Sequence, residues 1–431
     1  MNYKKIRNDS YSNVMSGLGD DSKDKNRNLR IVAAGVLEDE QLSNIYVSDG
    51  LGTVIIDAPA EDATKNGWIL LNDEDEKIAK ELKRLKFKQI VTKALKYTRL
   101  YRGCIIAMVT ERGKISEELP KNPGMITELK VYSAARMDIQ TTDFIDDEDS
   151  EDYDEPEVYR VRALNGTPVE IHRSRCLIFK GELIPDDTIT DFELTNQYWG
   201  LSVFQRTHTR LKYYGATEQG ISNLMQELGL GVYSLENLAQ ILAMNREDAL
   251  KKIKTRLEAI NASKSTINSV IIGANEKFER IDANLSNVGD VMDRFMMGLS
   301  GVSKIPVTKL FGRSAAGMNA TGEGDLSNYY DMIRTIQEDM QPELDKCIQV
   351  VGQYISGGNR ENYGIDEYVS LWEPTEKEKA ETDKLKAETY QIYYNMLVLG
   401  GEDIINKEFP DLLNEYKKRE NERAEQLQKQ I

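Results

Sequence analysis

Three long segments with helical spacing of apolar residues most constrain what this chain can fold into. They cover residues 201–230, 285–304 and 326–355, and their apolar positions recur every three to four residues. The first segment would form a helix roughly 45 Å long. The third contains Pro342, which should bend its helix because proline removes a backbone hydrogen bond. A chain of 431 residues that contains such rods is predicted to form two or three domains or one elongated body of several segments.

Short runs rich in β-branched and aromatic residues indicate strands ahead of the first rod. They lie at residues 104–110, 128–132, 157–164 and 176–181, and a further strand is predicted at 367–372. Together with the long helices, these strands are consistent with the α+β fold class, which the resemblance described below implies.

Two shorter helices are predicted before the strands. The segment VIIDAPAED (residues 54–62) should end a short helix at its proline, Pro59. Residues 75–102 should form one amphipathic helix crowded with lysine and arginine. Such a helix could bind nucleic acid or a membrane surface. We favour a solvated face that balances an acidic neighbour.

An acidic block lies between the predicted strands. Ten of the fifteen residues 143–157 are aspartate or glutamate, and none is basic. Such a block repels itself and predicts an exposed loop. An acidic docking surface or a divalent-cation site is the alternative, although the central glycine and ordered ligand spacing of an EF-hand are missing.

Composition excludes several classes of protein. Three cysteines far apart argue against a disulfide scaffold and a thiolate zinc site, and favour a reducing, cytosolic setting. No apolar run is long enough to span a bilayer, and the N-terminus lacks a signal-peptide pattern. The net charge of −16 argues against tight binding of a DNA duplex over the whole surface, since phosphate binding requires cations. The chain could still surround DNA.

The search for catalytic motifs leaves one enzyme hypothesis. The chain has no G-x-x-x-x-G-K-[ST], H-E-x-x-H or G-x-S-x-G motif, and only two histidines. A two-histidine phosphodiesterase needs two H-x-[ST] triplets. His172 with Ser174 fits, whereas the triplet at His208 has its hydroxyl one place early. We therefore predict a non-enzyme without catalytic residues, cofactor or metal, and keep a nucleotide phosphodiesterase as the alternative.

The order of these elements resembles the portal proteins of tailed bacteriophages. The resemblance covers roughly residues 35–405, and its motifs are only moderately specific one by one. The segments that carry it, in addition to VIIDAPAED with Gly67-Trp68, are IHRSRCLIFKG (171–181), WGLSVFQR (199–206), KIPVTKLFGRSAAGMNATGEGD (304–325) and EPTEKEKAE (373–381).

The resemblance implies a portal-type anatomy. It consists of a mixed α/β wing, two long stem helices, a small α/β clip insertion, a tunnel loop with a long kinked helix, and a helical C-terminal crown. The corresponding ranges are 1–30 (flexible arm), 31–200 (first part of the wing), 201–230 (stem helix 1), 231–284 (clip), 285–309 (stem helix 2 and turn), 310–325 (tunnel loop), 326–374 (second part of the wing) and 375–431 (crown).

The resemblance also implies candidate functional residues. Asp290 and Asp293 would lie on the stem. The residues expected to face the DNA channel are Gly312, Arg313, Ser314, Ala315, Ala316, Gly317, Met318, Asn319, Ala320, Thr321 and Gly322. The residues expected to help a partner dock on the clip are Arg246, Lys251, Lys252, Lys254 and Arg256.

The implied function is a dodecameric ring at one capsid vertex. DNA would be packaged and ejected through it without sequence readout. The implied partners are other copies of the chain, the terminase large subunit, head–tail adaptors, the major capsid protein and scaffold, but no membrane. The protein would be located in the virion after assembly in the host cytoplasm.

The packing of helices is consistent with a ring. The two stem rods carry narrow apolar stripes, and one chain cannot cover both flanks of each rod. Neighbouring copies in a ring would supply the missing partners. A structural adaptor without a pore is a further alternative.

Overall fold

The computed structural model describes residues 36–140, 143–150, 152–163, 166–184, 194–226, 230–234, 251, 254–255, 258, 277–281, 287–312, 323–372, 376–396, 404–405 and 417. The chain divides into two compact units, Met1–Val369 and Ser370–Ile431. The predicted arm at residues 1–30 lies outside the described residues. The predicted domain boundaries stay predictions.

In the first unit a helical layer precedes the sheets. Its helices are α1 (Asp39–Ser48), α2 (Gly50–Lys65), α3 (Lys77–Arg84) and α4 (Phe87–Tyr101), with strand β1 (Trp68–Leu70) between α2 and α3. Two predictions are wrong here. The helix predicted to end at Pro59 continues through it to Lys65. The single basic helix is two helices, because the backbone of Lys86 takes a left-handed conformation that breaks it.

Two small antiparallel sheets follow, and the predicted strands are confirmed. The first has the order β3-β2-β7, formed by Ile126–Ser133, Gly103–Thr110 and Cys176–Lys180. The second has the order β4-β5-β6, formed by Met137–Asp138, Val158–Arg162 and Pro168–His172. Strand β2 is apolar throughout and buried, because α4 packs against it. A buried cluster between the sheets includes Tyr159, Trp199 and Ile105.

Three long helices and two short ones come next in the described part of the first unit. They are α5 (Leu194–Trp199), α6 (Val203–Gln226), α7 (Val288–Ser303), α8 (Val307–Phe311) and α9 (Glu323–Ser356). Strands β8 (Leu230–Ser234) and β9 (Lys277–Ile281) pair antiparallel between α6 and α7. The predicted first rod is therefore too long at its end, since Leu230 already belongs to a strand.

The apolar stripe predicted for the third rod is confirmed. Tyr329, Ile333, Leu344 and Ile348 of α9 are all buried. Pro342 lies inside the helix, and the bend predicted there stays a prediction. Strand β10 (Ile365–Tyr368) begins earlier than the predicted strand and pairs with β1.

The second unit is described mainly by one helix, α10 (Glu376–Asn395). Several of its apolar side chains are exposed, including those of Leu385 and Ile392. No helix in the described part of either unit is long and apolar enough to cross a membrane.

Candidate functional site

The two stem rods form a packed helix pair. Helix α6 packs against α7, and α7 also contacts α8. The buried residues of the pair lie in the first half of α6 and in the second half of α7. They are Val203, Phe204, Thr207 and Leu211 of α6, and Met296, Leu299 and Ser303 of α7.

Other residues of the two helices have apolar side chains that are exposed to solvent. Leu224 and Met225, at the far end of α6, are 39% and 58% exposed. On α7, Val291, Met297 and Val302 are at least 36% exposed. Val291 and Val302 belong, with the buried Leu299, to the apolar spacing predicted for the rod at 285–304. In the described part of one chain, the stem therefore has apolar surface without a partner.

The two carboxylates predicted for the stem lie near the start of α7. Asp290 lies exposed in the first turn of α7, where the partial positive charge of the helix N-terminus favours an acidic side chain. Asp293 lies one turn later and is half-buried.

The structure describes few of the other predicted site residues. Lys251 and Lys254 of the clip are exposed in helical backbone. Gly312 ends α8 with a positive φ of 65°, a conformation that favours glycine. The other predicted tunnel-loop residues (313–322) and Arg246, Lys252 and Arg256 lie outside the described residues.

Both ends of the glycine-rich loop are held at one carboxylate. Asp62 of α2 forms an ion pair with Lys309 on α8, just before the loop. The Tyr329 hydroxyl, near the start of α9 and just after the loop, donates a hydrogen bond to the same Asp62 oxygen at 2.6 Å. The Lys309 ammonium also lies 4.8 Å from the centre of the Tyr329 ring. On the stem side, Tyr214 of α6 packs against Phe311 with ring centres 5.3 Å apart.

A half-buried arginine compensates for the proline in the helix that carries Asp62. Pro59 has no N–H, so the carbonyl of Ile55 one turn earlier lacks its helical donor. Arg99 of α4 donates to the Ile55 carbonyl at 2.9 Å and to the Ile56 carbonyl at 3.2 Å. Burial lowers the pKa of Arg99 to about 10, so its guanidinium stays charged at neutral pH. Sequence reasoning missed this pair, although a proline inside a helical pattern is a signal for such a donor.

The acidic block is not simply an exposed, self-repelling loop. Asp143 is buried and paired with Arg160. Asp152 and Glu155 both pair with Arg173, at 2.6 and 2.9 Å. The prediction of an exposed loop holds only for its middle, because cations of β5 and the turn after β6 fix both ends of the loop.

Glu155 is the centre of that network. It also accepts from Lys180 at 2.7 Å and from the Tyr198 hydroxyl at 2.8 Å. Burial alone would raise the pKa of Glu155, but these hydrogen bonds and the charge of Arg173 outweigh burial and hold the pKa below its ordinary value.

Three cations of the predicted basic helix are paired with carboxylates. Lys96 pairs with Asp57 at 2.8 Å and with Glu61 at 2.6 Å. Arg84 pairs with Glu81 at 2.6 Å. Arg102 pairs with Asp39. These contacts support the interpretation of a charge-balanced face for these three residues, but not for the lysines around the break at Lys86.

The two histidines are held by separate local partners. His172 ends β6, and its Nδ1 is 2.8 Å from the Ser174 hydroxyl. His208 is in the middle of α6, where its Nδ1 is 3.1 Å from the Phe204 carbonyl oxygen. Burial raises the pKa of all three cysteine thiols, which keeps them protonated. Within the described ranges, no group of histidine, cysteine and acidic residues is arranged to hold a metal ion.

Comparison with known proteins identifies the family. The family model described as phage portal protein matches residues 40–392, which is most of the chain. This chain belongs to the phage portal protein family. The resemblance seen in the sequence is therefore confirmed, and the portal-type arrangement of helices and small sheets is the fold of this family.

Solved structures agree with this portal-like fold. One match, from the virion of a native gene transfer agent particle, has a TM-score of 0.52 at 11% identity and covers 86% of this chain and 93% of the other. A second, from the neck of an empty particle of that kind, has a TM-score of 0.54 at 12% identity, with 88% and 94% covered.

Curated relatives of the portal chain carry a different name. Proteins from Sphingomonas paeninsulae and Caulobacter sp. (strain RHG1), both named anti-CBASS protein Acb1, are 28% identical to it. The matches cover 96% and 88% of this chain but 68% and 62% of the relatives. About a third of each relative therefore lies outside the match. An uncharacterized protein of Haemophilus influenzae is 23% identical, with 76% and 73% covered.

Proposed function

We propose that copies of this chain assemble into a ring that conducts double-stranded DNA at a capsid vertex. The observation that carries the proposal is the exposed apolar surface of the stem pair, at Leu224, Met225 and Val291, in a chain of the portal family. Neighbouring copies would cover this surface, because a ring gives each helix pair a partner on both flanks.

The acidic composition suits a conduit. With a net charge of −16, a ring of this chain would repel phosphates on average, so the duplex would stay mobile instead of trapped. The residues 312–322 would line the channel with small side chains, and the Asp62 contacts would hold both ends of this loop. The chain itself would perform no chemistry.

The remaining parts of the proposal concern partners and location. The clip would dock the terminase large subunit during packaging and head–tail adaptors afterwards. The major capsid protein and the scaffold would surround the ring, which would contain twelve copies of the chain. The ring would assemble in the host cytoplasm and would then be part of the virion. Solved structures with this fold come from a virion and from a neck computed with six-fold symmetry, which supports a ring.

Sizing and imaging test the ring. The purified chain should elute at many times its mass of 49.0 kDa and give annular images in negative stain. Leu224→Asp combined with Met225→Asp should abolish the rings and leave the circular dichroism spectrum unchanged. The matched control is Gln219→Asp with Asn223→Asp, on exposed polar positions of the same helix. Rings that survive the apolar substitutions would contradict the proposed use of the stem.

One observation favours a second candidate function. The close approach of His172 to Ser174 at 2.8 Å matches half of a two-histidine phosphodiesterase site. The relatives with an anti-CBASS name add a reason to assay activity, although only part of their length is shared. This candidate requires nucleotide turnover that His172→Ala abolishes and His208→Ala reduces. A non-pore adaptor would instead remain a monomer without turnover.

A further inference from the structure

The middle of the acidic block forms an unpaired tip. Both ends of the block are fixed by the ion pairs to Arg160 and Arg173 and by a β-bridge between Phe144 and Pro156. The four consecutive acidic residues between these ends are exposed, and no cation of the described chain lies within ion-pair distance of them. We call them the acidic tip: Asp146, Asp147, Glu148 and Asp149.

A groove with the opposite charge lies around the break between α3 and α4 at Lys86. It has a volume of about 770 Å³ and runs along β1, α3 and the start of α4. Its apolar wall includes Trp68, Phe87 and Ile69, and Ile69 is 50% exposed. We call it the lysine groove after three exposed residues that line it, Lys83, Lys86 and Lys88.

The charge of the lysine groove is not neutralised within the chain. Lys88 donates to the backbone carbonyl of Lys65, and no described carboxylate lies within ion-pair distance of Lys83, Lys86 or Lys88. Of the two carboxylates in the lining, Asp73 already accepts from two backbone N–H groups of α3, at 2.9 and 2.8 Å. Glu76 is the other. Three lysines against two carboxylates leave the lining of the groove with a small net positive charge.

We propose that the acidic tip of one copy docks in the lysine groove of the next copy around the ring. This inference rests on the proposed function, since it needs a ring. In a ring each copy presents two different surfaces to its neighbours, and these surfaces must complement each other. Copies that each carry −16 repel one another, so a local pairing of opposite charge fixes their register. The exposed Ile69 in the wall of the groove supplies an apolar contact beside the pairs of opposite charge.

Crosslinking between different chains tests this contact directly. One variant carries Asp147→Cys and an affinity tag, and the other carries Lys86→Cys. The native cysteines Cys104, Cys176 and Cys347 are buried, so a short bismaleimide should react with the introduced thiols. Assembly of the mixed variants should give a crosslinked pair that contains one chain of each kind, whereas each variant assembled alone should not.

Charge reversal provides the second measurement. Lys83→Glu with Lys86→Glu should lower the association constant for assembly about tenfold, because like charges across an interface are strongly unfavourable. Asp146→Lys with Asp149→Lys should restore assembly in that background. The matched control is Lys114→Glu with Lys121→Glu, two exposed lysines outside the groove, and it should assemble normally.

The outcomes separate this inference from the proposed function. Wild-type rings without the mixed crosslink, together with charge reversals that behave like the control, would overturn the docking and leave the ring in place. Reversals that reduce binding of a DNA fragment but not assembly would assign the groove to nucleic acid and overturn the docking as well. Absence of wild-type rings would overturn the proposed function and, with it, this inference.

Discussion

The Tyr329 hydroxyl donates to Asp62 across 267 positions of sequence, at a distance of 2.6 Å. Because Asp62 also pairs with Lys309, one buried carboxylate joins the helix before the glycine-rich loop to the helix after it. The loop is thus anchored to α2 at both of its ends. Asp62 and Lys309 lie in segments that carry the family resemblance, but their contact with each other and with Tyr329 depends on the fold.

Removal of the tyrosine hydroxyl should weaken this anchor. Tyr329→Phe leaves Asp62 buried with one charge-assisted partner fewer, and should lower the free energy of unfolding by about 1–3 kcal/mol. Urea unfolding followed by circular dichroism measures the loss. Tyr354→Phe, at an exposed position of the same helix, is the control and should be neutral. Equal midpoints for the two variants would contradict the role of the Tyr329 contact.

The effects of substitutions at Arg99 and at Pro59 on the free energy of unfolding should depend on each other, because the Arg99 side chain takes the place of the N–H that Pro59 lacks. Arg99→Met leaves the Ile55 carbonyl buried without a donor and should cost about 2–3 kcal/mol. Pro59→Ala returns an N–H to this carbonyl, so the cost of Arg99→Met should fall by about 1 kcal/mol in the Pro59→Ala background. A double-mutant cycle in urea measures this difference. Strict additivity of the two changes would rule out the proposed compensation.

Two glycines within helices should respond to alanine with opposite signs. A Cβ at Gly352 of α9 would lie 2.3 Å from the ring of Tyr363, whereas a Cβ at Gly215 of α6 would meet nothing within 4 Å. Gly352→Ala should therefore destabilise by about 1–3 kcal/mol through overpacking. Gly215→Ala should stabilise by up to about 1 kcal/mol, because alanine favours helix more than glycine does. Thermal unfolding of both variants checks the contrast, and a stable Gly352→Ala would show that Tyr363 moves freely.

The network around Glu155 should give a pH-dependent stability. Since the pKa of Glu155 in the folded chain lies below its ordinary value of 4.5, its contribution is complete above that value and is lost as the pH falls through the lowered pKa. Glu155→Gln should therefore cost about 1–3 kcal/mol at pH 7.

The same comparison at acidic pH provides the check on that prediction. The difference between the wild type and Glu155→Gln should shrink when the urea midpoints are measured below about pH 4. Glu148→Gln, in the exposed middle of the same loop, should change the midpoint little at either pH. A Glu155→Gln cost that stays constant with pH would mean that packing, not charge, holds the loop.

Helix α9 and strand β2 were predictable from local pattern. Ile333, Leu344 and Ile348 repeat with helical spacing, and the burial of one face follows directly from that period. The run at 104–110 is apolar at nearly every position, which is typical of a strand covered on both faces. The break at Lys86 was not predictable in this way, because lysine has no preference for the left-handed backbone that it takes there.

The candidate site was less predictable than the fold. Asp62, Lys309 and Arg99 were missed, since each acts on a group far away in sequence. The acidic block was mistaken for an exposed loop because its repulsion is visible in sequence, while the arginines that neutralise its ends come from a later strand and turn. Charge pairing of this kind depends on distance in space.

The sequence by itself determined the order of strands and rods and the apolar stripe of α9, because each of these follows from the spacing of neighbouring residues. The family was visible in the sequence as a resemblance of whole segments, and the family model confirms it. Only the tertiary structure decided which flank of the stem pair stays open, which carboxylate anchors the glycine-rich loop, and which acidic residues remain unpaired. The physical reason is that burial and ion pairing depend on which elements pack together, and packing is set by the whole chain.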